Sequence, residues 1–313
     1  MTQVLWSVVL LVIGFVLLIK GADFFVEGSS SVAKRLKVPS IIIGLTIVAM
    51  GTSLPECAVS ITASITNNNA LAVSNAVGSN IFNLMVVCGF CALFNPLAVE
   101  KSTLKKEFPF SMICAVLLLV FGYLAMTLGR ADGLLLLAVF IGFLIWMVRS
   151  ALKARAQASD EEYELLPVWK CLLFIIGGII AIKFGGDFVV EGASAIAAKA
   201  GLSQNLIGLT IVACGTSLPE LVTSVVAARK NELDMALGNV IGSHIFNILF
   251  VLGVAAAISP IAFIMENVID IVILIAMSAV VWGFAWTKKT LDKKEGIVML
   301  AMYAVYLVYI CIR

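Results

Sequence analysis

The thirteen residues Gly44 to Glu56, GLTIVAMGTSLPE, return 164 positions later as Gly208 to Glu220, GLTIVACGTSLPE, and differ only at Met50 and Cys214. The register holds without a gap from residue 23 to residue 96. Asp23 and Glu27 align with Asp187 and Glu191, Asn75 with Asn239, Gly78-Ser79 with Gly242-Ser243, Ile81-Phe82-Asn83 with Ile245-Phe246-Asn247, and Pro96 with Pro260. A unit this long is a duplicated half-protein and not a solenoid repeat. The fold must therefore be assembled from two copies of one bundle. Each copy brings one glutamate, Glu56 or Glu220, into an otherwise apolar stretch.

Hydrophobic residues make up 62% of the chain and charged residues 13%, a balance foreign to soluble domains. A bilayer-spanning helix needs about 20 apolar residues. Ten stretches qualify: roughly 4–30, 39–66, 70–95, 108–128, 132–149, 168–197, 203–228, 234–259, 262–286 and 295–312. Each half holds five. An odd number forces the second half to enter the membrane upside down relative to the first, the inverted-repeat plan of many secondary transporters. The expected fold is an all-α membrane protein of ten transmembrane helices, built as two five-helix inverted-topology repeats. Its parts are a first half at 1–149, a cytoplasmic linker at 150–167 and a second half at 168–313, with the repeated motifs at about 40–95 and 204–259.

Lysine and arginine test this plan, because they crowd into cytoplasmic loops. One set of alternate connections holds Lys34, Arg35, Lys37, Lys101, Lys105, Lys106, Arg149, Lys153, Arg155, Lys170, Arg229, Lys230, Lys288, Lys289, Lys293 and Lys294. The other holds only Arg130, Lys199 and Arg313, while Lys20 and Lys183 lie within spans. The asymmetry predicts both termini outside, with the protein in the plasma (inner) membrane.

The net charge of +2 reflects those loops, and no basic domain for nucleic acid exists. The N-terminus lacks the positive leader and cleavage site of a secretory signal and reads as the first span. Cys57, Cys88, Cys91, Cys114, Cys171, Cys214 and Cys311 all fall in or beside apolar spans, where a free thiol packs as a small hydrophobe. Cys88 and Cys91 have redox-motif spacing but no thioredoxin-like context. The linker ends in Asp160, Glu161, Glu162 and Glu164. It reads as a solvated connector, because the ordered ligand spacing of a calcium loop is missing.

A carboxylate near mid-bilayer costs at least about 2.5–3.5 kcal/mol, so Glu56 and Glu220 need a partner or a cavity. No lysine or arginine lies in the four spans that hold the motifs. A bound cation is the fitting source of positive charge. Pro55 and Pro219 lack the N–H that would bond the carbonyls of Gly51 and Gly215, so each breaks its helix and frees backbone oxygen. Such backbone is tolerated at membrane depth only inside protein or beside a watery cavity. Thr52, Ser53, Thr216 and Ser217 add hydroxyls within a turn. The donors are all oxygen, as sodium and calcium prefer.

Ser79 and Asn83, like Ser243 and Asn247, stand four apart on one helical face. Each alone reads equally as an interhelical hydrogen bond. Duplicated and set against two glutamates, they read as a cation site. Gly78 and Gly242 would let these helices approach the broken ones closely. Two carboxylates and two neutral amides give a charge of −2, which one Ca²⁺ or a few Na⁺ neutralise in mutual exclusion. That is the logic of antiport.

The paired GTSLPE segments, followed by GSNIFN and GSHIFN, resemble the α-repeats of the cation/Ca²⁺ exchanger superfamily, closest to prokaryotic sodium/calcium exchangers. The resemblance covers nearly the whole chain. It implies a ten-helix fold and a four-ion site arranged as a diamond. Glu56, Glu220, Asn83 and Asn247 would lie at its centre, with carbonyls or hydroxyls of Ala49, Thr52, Ser53, Ala213, Thr216 and Ser217, and with Ser79 and Ser243 at outer sodium positions. Helices 1 and 6 would slide as gates. It also implies Ca²⁺ and Na⁺ as transported substrates, with no cofactor, no obligatory protein partner and membrane lipid as the surroundings. Asn247 departs from members that carry aspartate there, which argues against potassium cotransport. His244, the only histidine, stands where the first repeat has Asn80. It reads as a packed, hydrogen-bonded residue or as a pH modulator of transport.

Lys20, Asp23 and Glu27 share a stripe of the first helix, and Lys183, Asp187 and Glu191 repeat it on the sixth. Pairing of Lys20 with Asp23 and of Lys183 with Asp187 would lower their burial cost. The leading expectation is a Na⁺/Ca²⁺ antiporter working by alternating access. A proton-coupled calcium exchanger, in which the glutamates carry protons, is the near rival. An intramembrane carboxylate enzyme is the rival of another class, and it lacks any HExxH or paired-aspartate signature. A passive channel is the third.

Overall fold

The structure is a computed structural model, and it describes residues 2–66, 70–157, 165–201, 211 and 213–312. Helix α1 spans Thr2–Leu36, and the next helix is broken into α2, Ser40–Thr52, and α3, Leu54–Ile65. Then follow α4 (Leu71–Phe94), α5 (Thr103–Ala125) and α6 (Arg130–Gln157). The second half brings α7 (Val168–Lys199), a short α8 (Ala213–Gly215), α9 (Leu218–Arg229), α10 (Leu233–Ile258), α11 (Met265–Lys288) and α12 (Lys293–Ile312). Among the described residues, eight helices are long and apolar enough to cross a bilayer, or nine with α2–α3 as one span bent by 50°. The expected span at 203–228 falls partly outside the described residues.

The stretch read as the start of the linker begins in helix. Helix α6 runs on to Gln157, because Ala, Leu, Lys, Arg and Gln in residues 150–157 are strong helix formers.

The apolar sequence sorts into two layers. The most hydrophobic windows of α4 and α10 are 78% buried, against 17–33% for α1, α5, α6, α7 and α12. Serines and asparagines therefore collect on the two central helices, while the outer helices turn residues such as Leu124 and Val305 outward. This is a multi-pass membrane protein.

Glycine lets the halves meet backbone to backbone. A Cβ on Gly14 would lie 2.8 Å from the Gly185 carbonyl, and one on Gly178 would lie 2.8 Å from that of Gly21. Position numbers fall along α7 as they rise along α1, so these two equivalent helices run antiparallel. Two short antiparallel ribbons tie the halves again. Strand β1 (Leu97–Ala98) pairs with β4 (Thr290–Leu291), and β2 (Thr127–Leu128) pairs with β3 (Ile261–Ala262). In the repeat β1 corresponds to β3, so each strand pairs with the non-equivalent strand of the other half. The helices before β2 and β4 end at Met126 (φ 47°) and Lys289 (φ 57°), both left-handed, the helix-ending conformation that turns the chain.

Candidate cation site

The site begins with the broken helix. Pro55 sits in the first turn of α3 and Pro219 in that of α9, where the missing N–H is harmless. Ser53 is the non-helical residue at the first break (φ −85°, ψ 13°), and Ser217 takes nearly the same conformation at the second (φ −93°, ψ 4°). Glu56 and Glu220 follow within one turn, and both are completely buried. Upstream, Gly44–Val48 is wound as π-helix. So are Asn83–Val87 in α4 and Phe246–Val251 in α10. Such wide turns recur at functional sites, and here they begin at or beside both candidate asparagines.

The two halves hold each other's carboxylates. Ser53 Oγ donates to Glu220 Oε1 at 2.7 Å, and Ser217 Oγ donates to Glu56 Oε1 at 3.2 Å. Ser79 Oγ also lies 3.2 Å from Glu56 Oε1 and 3.0 Å from Ser217 Oγ, while Ser243 Oγ lies 3.0 Å from Ser53 Oγ. Asn83 Nδ2 and Asn247 Nδ2 each approach Ser79 Oγ at 3.4 Å.

What these bonds leave over is the informative part. Glu56 Oε2, Glu220 Oε2, Asn83 Oδ1 and Asn247 Oδ1 are buried with no hydrogen-bonding partner among the described residues. All four side chains are fully shielded. Buried polar atoms are nearly always paired, and leaving one unpaired costs about 1–3 kcal/mol, more for a charged group. Four acceptors with no donor fit a hard cation. Among the described residues no three His, Cys, Asp or Glu side chains cluster to hold a metal. The oxygens gathered here belong to two carboxylates, two side-chain amides and the serine hydroxyls.

The remaining expected residues divide. Thr52 Oγ1 turns toward Asn239 Oδ1 at 3.0 Å and its own helix carbonyls at Val48 and Ala49. The Ala49 carbonyl accepts the Ser53 amide at 3.0 Å. Thr216 is half-buried in the turn. The backbone of Ala213 opens α8, and its side chain lies outside the described set. A cavity of about 210 Å³ reaches the first break, lined by Gly51, Thr52, Pro55, Lys183, Phe184 and Pro219 among others.

A supporting layer was not assigned from sequence. Asn75 Nδ2 donates to Ser60 Oγ at 3.0 Å and to the Glu56 carbonyl at 3.1 Å, and Asn239 Nδ2 donates to Ser224 Oγ at 2.9 Å. These amides brace the acid-bearing helices against α4 and α10. Their duplication at the same offset was the available signal. Gly242 brings α10 onto α2, since a Cβ there would lie 2.6 Å from the Leu45 carbonyl. The matching partners of Gly78 fall outside the described residues. His244 is hydrogen-bonded, its Nε2 lying 2.7 Å from the Asn80 carbonyl.

One expectation is overturned. Lys183 pairs with Asp187 at 2.6 Å, as the spacing predicts, but Asp23 pairs with Lys230 at 2.6 Å and not with Lys20. Lys230 also approaches Glu27 at 3.7 Å. The turn between α9 and α10 brings this lysine to α1, a tertiary approach that the local sequence does not encode.

The family model described as "Sodium/calcium exchanger protein" matches twice, over residues 6–149 and 170–312. The chain belongs to the sodium/calcium exchanger protein family. A putative antiporter, CaxA of Alkalimonas amylolytica, is 44% identical over 81% of each chain. The sodium/calcium exchanger MaX1 of Methanosarcina acetivorans is 32% identical, covering 96% of this chain and 97% of that one. A solved structure of the sodium-calcium exchanger NCX_Mj, soaked with Na⁺ and Sr²⁺, superposes with a TM-score of 0.86 at 33% identity, over 97% of this chain and 98% of that one. This exchanger is a transporter and not an enzyme, which removes the intramembrane-hydrolase reading.

Proposed function

We propose that this exchanger moves Ca²⁺ against Na⁺ by alternating access around a single midplane site. The carrying observation is the quartet of unpartnered buried oxygens, Glu56 Oε2, Glu220 Oε2, Asn83 Oδ1 and Asn247 Oδ1. Ser53, Ser217, Ser79 and Ser243 complete the oxygen shell through hydroxyls already turned to the carboxylates or to each other. The broken helices add carbonyls or hydroxyls of Ala49, Thr52, Ala213 and Thr216. Ca²⁺ takes six to eight oxygens, and its two charges balance the two carboxylates. Sodium ions occupying the same oxygens exclude it, and exclusion couples the two fluxes.

The ten-helix inverted plan, with halves at 1–149 and 168–313, is part of the same reading. It is supported by the antiparallel run of α1 against α7, by strands that pair only with non-equivalent partners, and by the twofold family match. Basic residues on one set of loops support outward-facing termini and residence in the inner membrane. The cavity beside Gly51 and Pro55 supports an access route to the break from one side.

The test is calcium flux into proteoliposomes. An imposed Na⁺ gradient at clamped pH drives Ca²⁺ uptake if sodium is the counter-ion. Uptake that follows a pH gradient and ignores Na⁺ replaces this reading with proton coupling, and uptake without any counter-ion gradient replaces it with a channel.

A further inference from the structure

Asn80 is completely buried beside the site, yet none of its polar atoms joins the unpartnered quartet. Its side chain works behind Asn247. Asn80 Nδ2 donates to the backbone carbonyl of His244 at 3.4 Å, and Asn80 Oδ1 accepts Asn247 Nδ2 at 3.1 Å. His244 closes the contact in return. Its Nε2 lies 2.7 Å from the Asn80 carbonyl, which only accepts, so Nε2 carries the proton.

A carboxamide has two ends of similar shape and opposite polarity. The His244 carbonyl only accepts, so the end of Asn80 that faces it must be the NH₂. That turns Asn80 Oδ1 toward Asn247. Oδ1 also only accepts, so Asn247 must present its own NH₂ there. Asn247 Oδ1 is left on the far side, among the unpartnered oxygens. A main-chain carbonyl two links away thus sets which atom the ion meets.

The first half has no copy of this device. The repeat places His244 opposite Asn80, and the His244 Nε2 is spent on the Asn80 carbonyl. Asn83 Nδ2 finds Ser79 Oγ of its own helix at 3.4 Å.

We infer that Asn80 is a positioning residue that commits position 247 to a neutral carboxamide with its oxygen toward the ion, holding the site at two carboxylates. This rests on the reading that Asn247 binds the transported cation. An aspartate at 247 would present only acceptors. It would meet Asn80 Oδ1 acceptor to acceptor. Asn80 could turn over only by setting its own oxygen against the His244 carbonyl. The tolerance of position 247 for charge is therefore decided at position 80.

The experiment is a double-mutant cycle on the full chain with Asn80→Ala, Asn247→Asp and the pair. Binding of ⁴⁵Ca²⁺ in detergent at fixed Na⁺, KM and maximal rate of exchange in proteoliposomes, and the thermal midpoint are all read. Asn80→Ala leaves the backbone carbonyl that His244 uses. It is expected to weaken Ca²⁺ binding by about tenfold, the scale of one lost buried hydrogen bond, and to raise KM more than it lowers the maximal rate. Asn247→Asp is expected to weaken Ca²⁺ binding at least as much, and the double variant to recover about tenfold over Asn247→Asp alone. Asn80→Ser serves if the alanine variant does not fold. Independent, multiplying effects of the two substitutions, or unchanged Ca²⁺ and Na⁺ dependences in the position 80 variant, overturn the inference. Glu56→Gln separates the levels: if it abolishes binding while position 80 has no effect, only the inference falls. If the wild type binds no Ca²⁺, the reading beneath falls with it.

Discussion

Ser53 Oγ donates to Glu220 Oε1 at 2.7 Å across the boundary between the two halves, and Ser217 returns the bond to Glu56 at 3.2 Å. Each of the two buried carboxylates therefore accepts a hydrogen bond from the half that does not carry it, and Glu56 accepts a second from Ser79 of its own half. Hydrogen bonds to charged groups contribute roughly 1.5–3 kcal/mol. Ser53→Ala should raise the ion concentration for half-maximal exchange by about tenfold or more. Ser217→Ala should cost less, because Glu56 Oε1 keeps Ser79 as a donor at 3.2 Å. Ca²⁺ and Na⁺ titrations of flux check the order; equal, negligible effects would mean that neither hydroxyl orients a ligand.

Glu56→Gln and Glu220→Gln preserve shape and remove charge. Each variant should lose Na⁺-dependent Ca²⁺ flux while remaining folded and monodisperse, since relieving a buried charge does not cost the fold a partner it lacks. Flux assays with a size-exclusion profile read both halves of the statement. Substantial exchange in either variant would remove that glutamate from the site.

The close seat of α10 on α2 is a packing requirement that can be tested apart from ions. Alanine at Gly242 would set its Cβ 2.6 Å from the Leu45 carbonyl and 2.7 Å from the Ala49 Cβ. Backbone cannot yield as a flexible side-chain tip does. The strain should cost about 1–3 kcal/mol and lower the thermal midpoint in detergent. Gly142→Ala is the control, because nothing lies within 4 Å of its added carbon and alanine favours the helix by about 1 kcal/mol. A midpoint unchanged at 242 would mean that the helices separate at no cost.

Much of the candidate site was legible because duplication marks it. Glu56, Ser53, Ser79 and Asn83 each have a copy at the same offset, and a proline two residues after the serine identifies the helix break. What escaped was whatever the repeat does not copy or a span pattern does not carry. Asn80 and His244 are repeat-related yet different residues, and their contact appears only when α4 lies against α10. Lys230 aligns with Thr66, so nothing in the first half announces its pairing with Asp23. The ribbons β1–β4 and β2–β3 have two residues per strand, too short for alternation to register.

That uncopied lysine gives the last prediction. Lys230 joins the α9–α10 turn to α1 through Asp23 at 2.6 Å and Glu27 at 3.7 Å, with side-chain exposures of 33%, 37% and 46%. Beside it Glu232 accepts hydrogen bonds from Ser30 and from Ser40, the latter at 2.8 Å. Ion pairs this exposed contribute at most about 1 kcal/mol, and salt screens them. Lys230→Thr, which installs the residue found at the equivalent place in the first half, should therefore destabilise the protein by no more than about 1 kcal/mol in low salt. The difference should vanish in high salt. Thermal unfolding of both proteins across an ionic-strength series decides it: a larger, salt-independent loss would mean that the lysine stem holds α1 by packing, and that its charge is incidental.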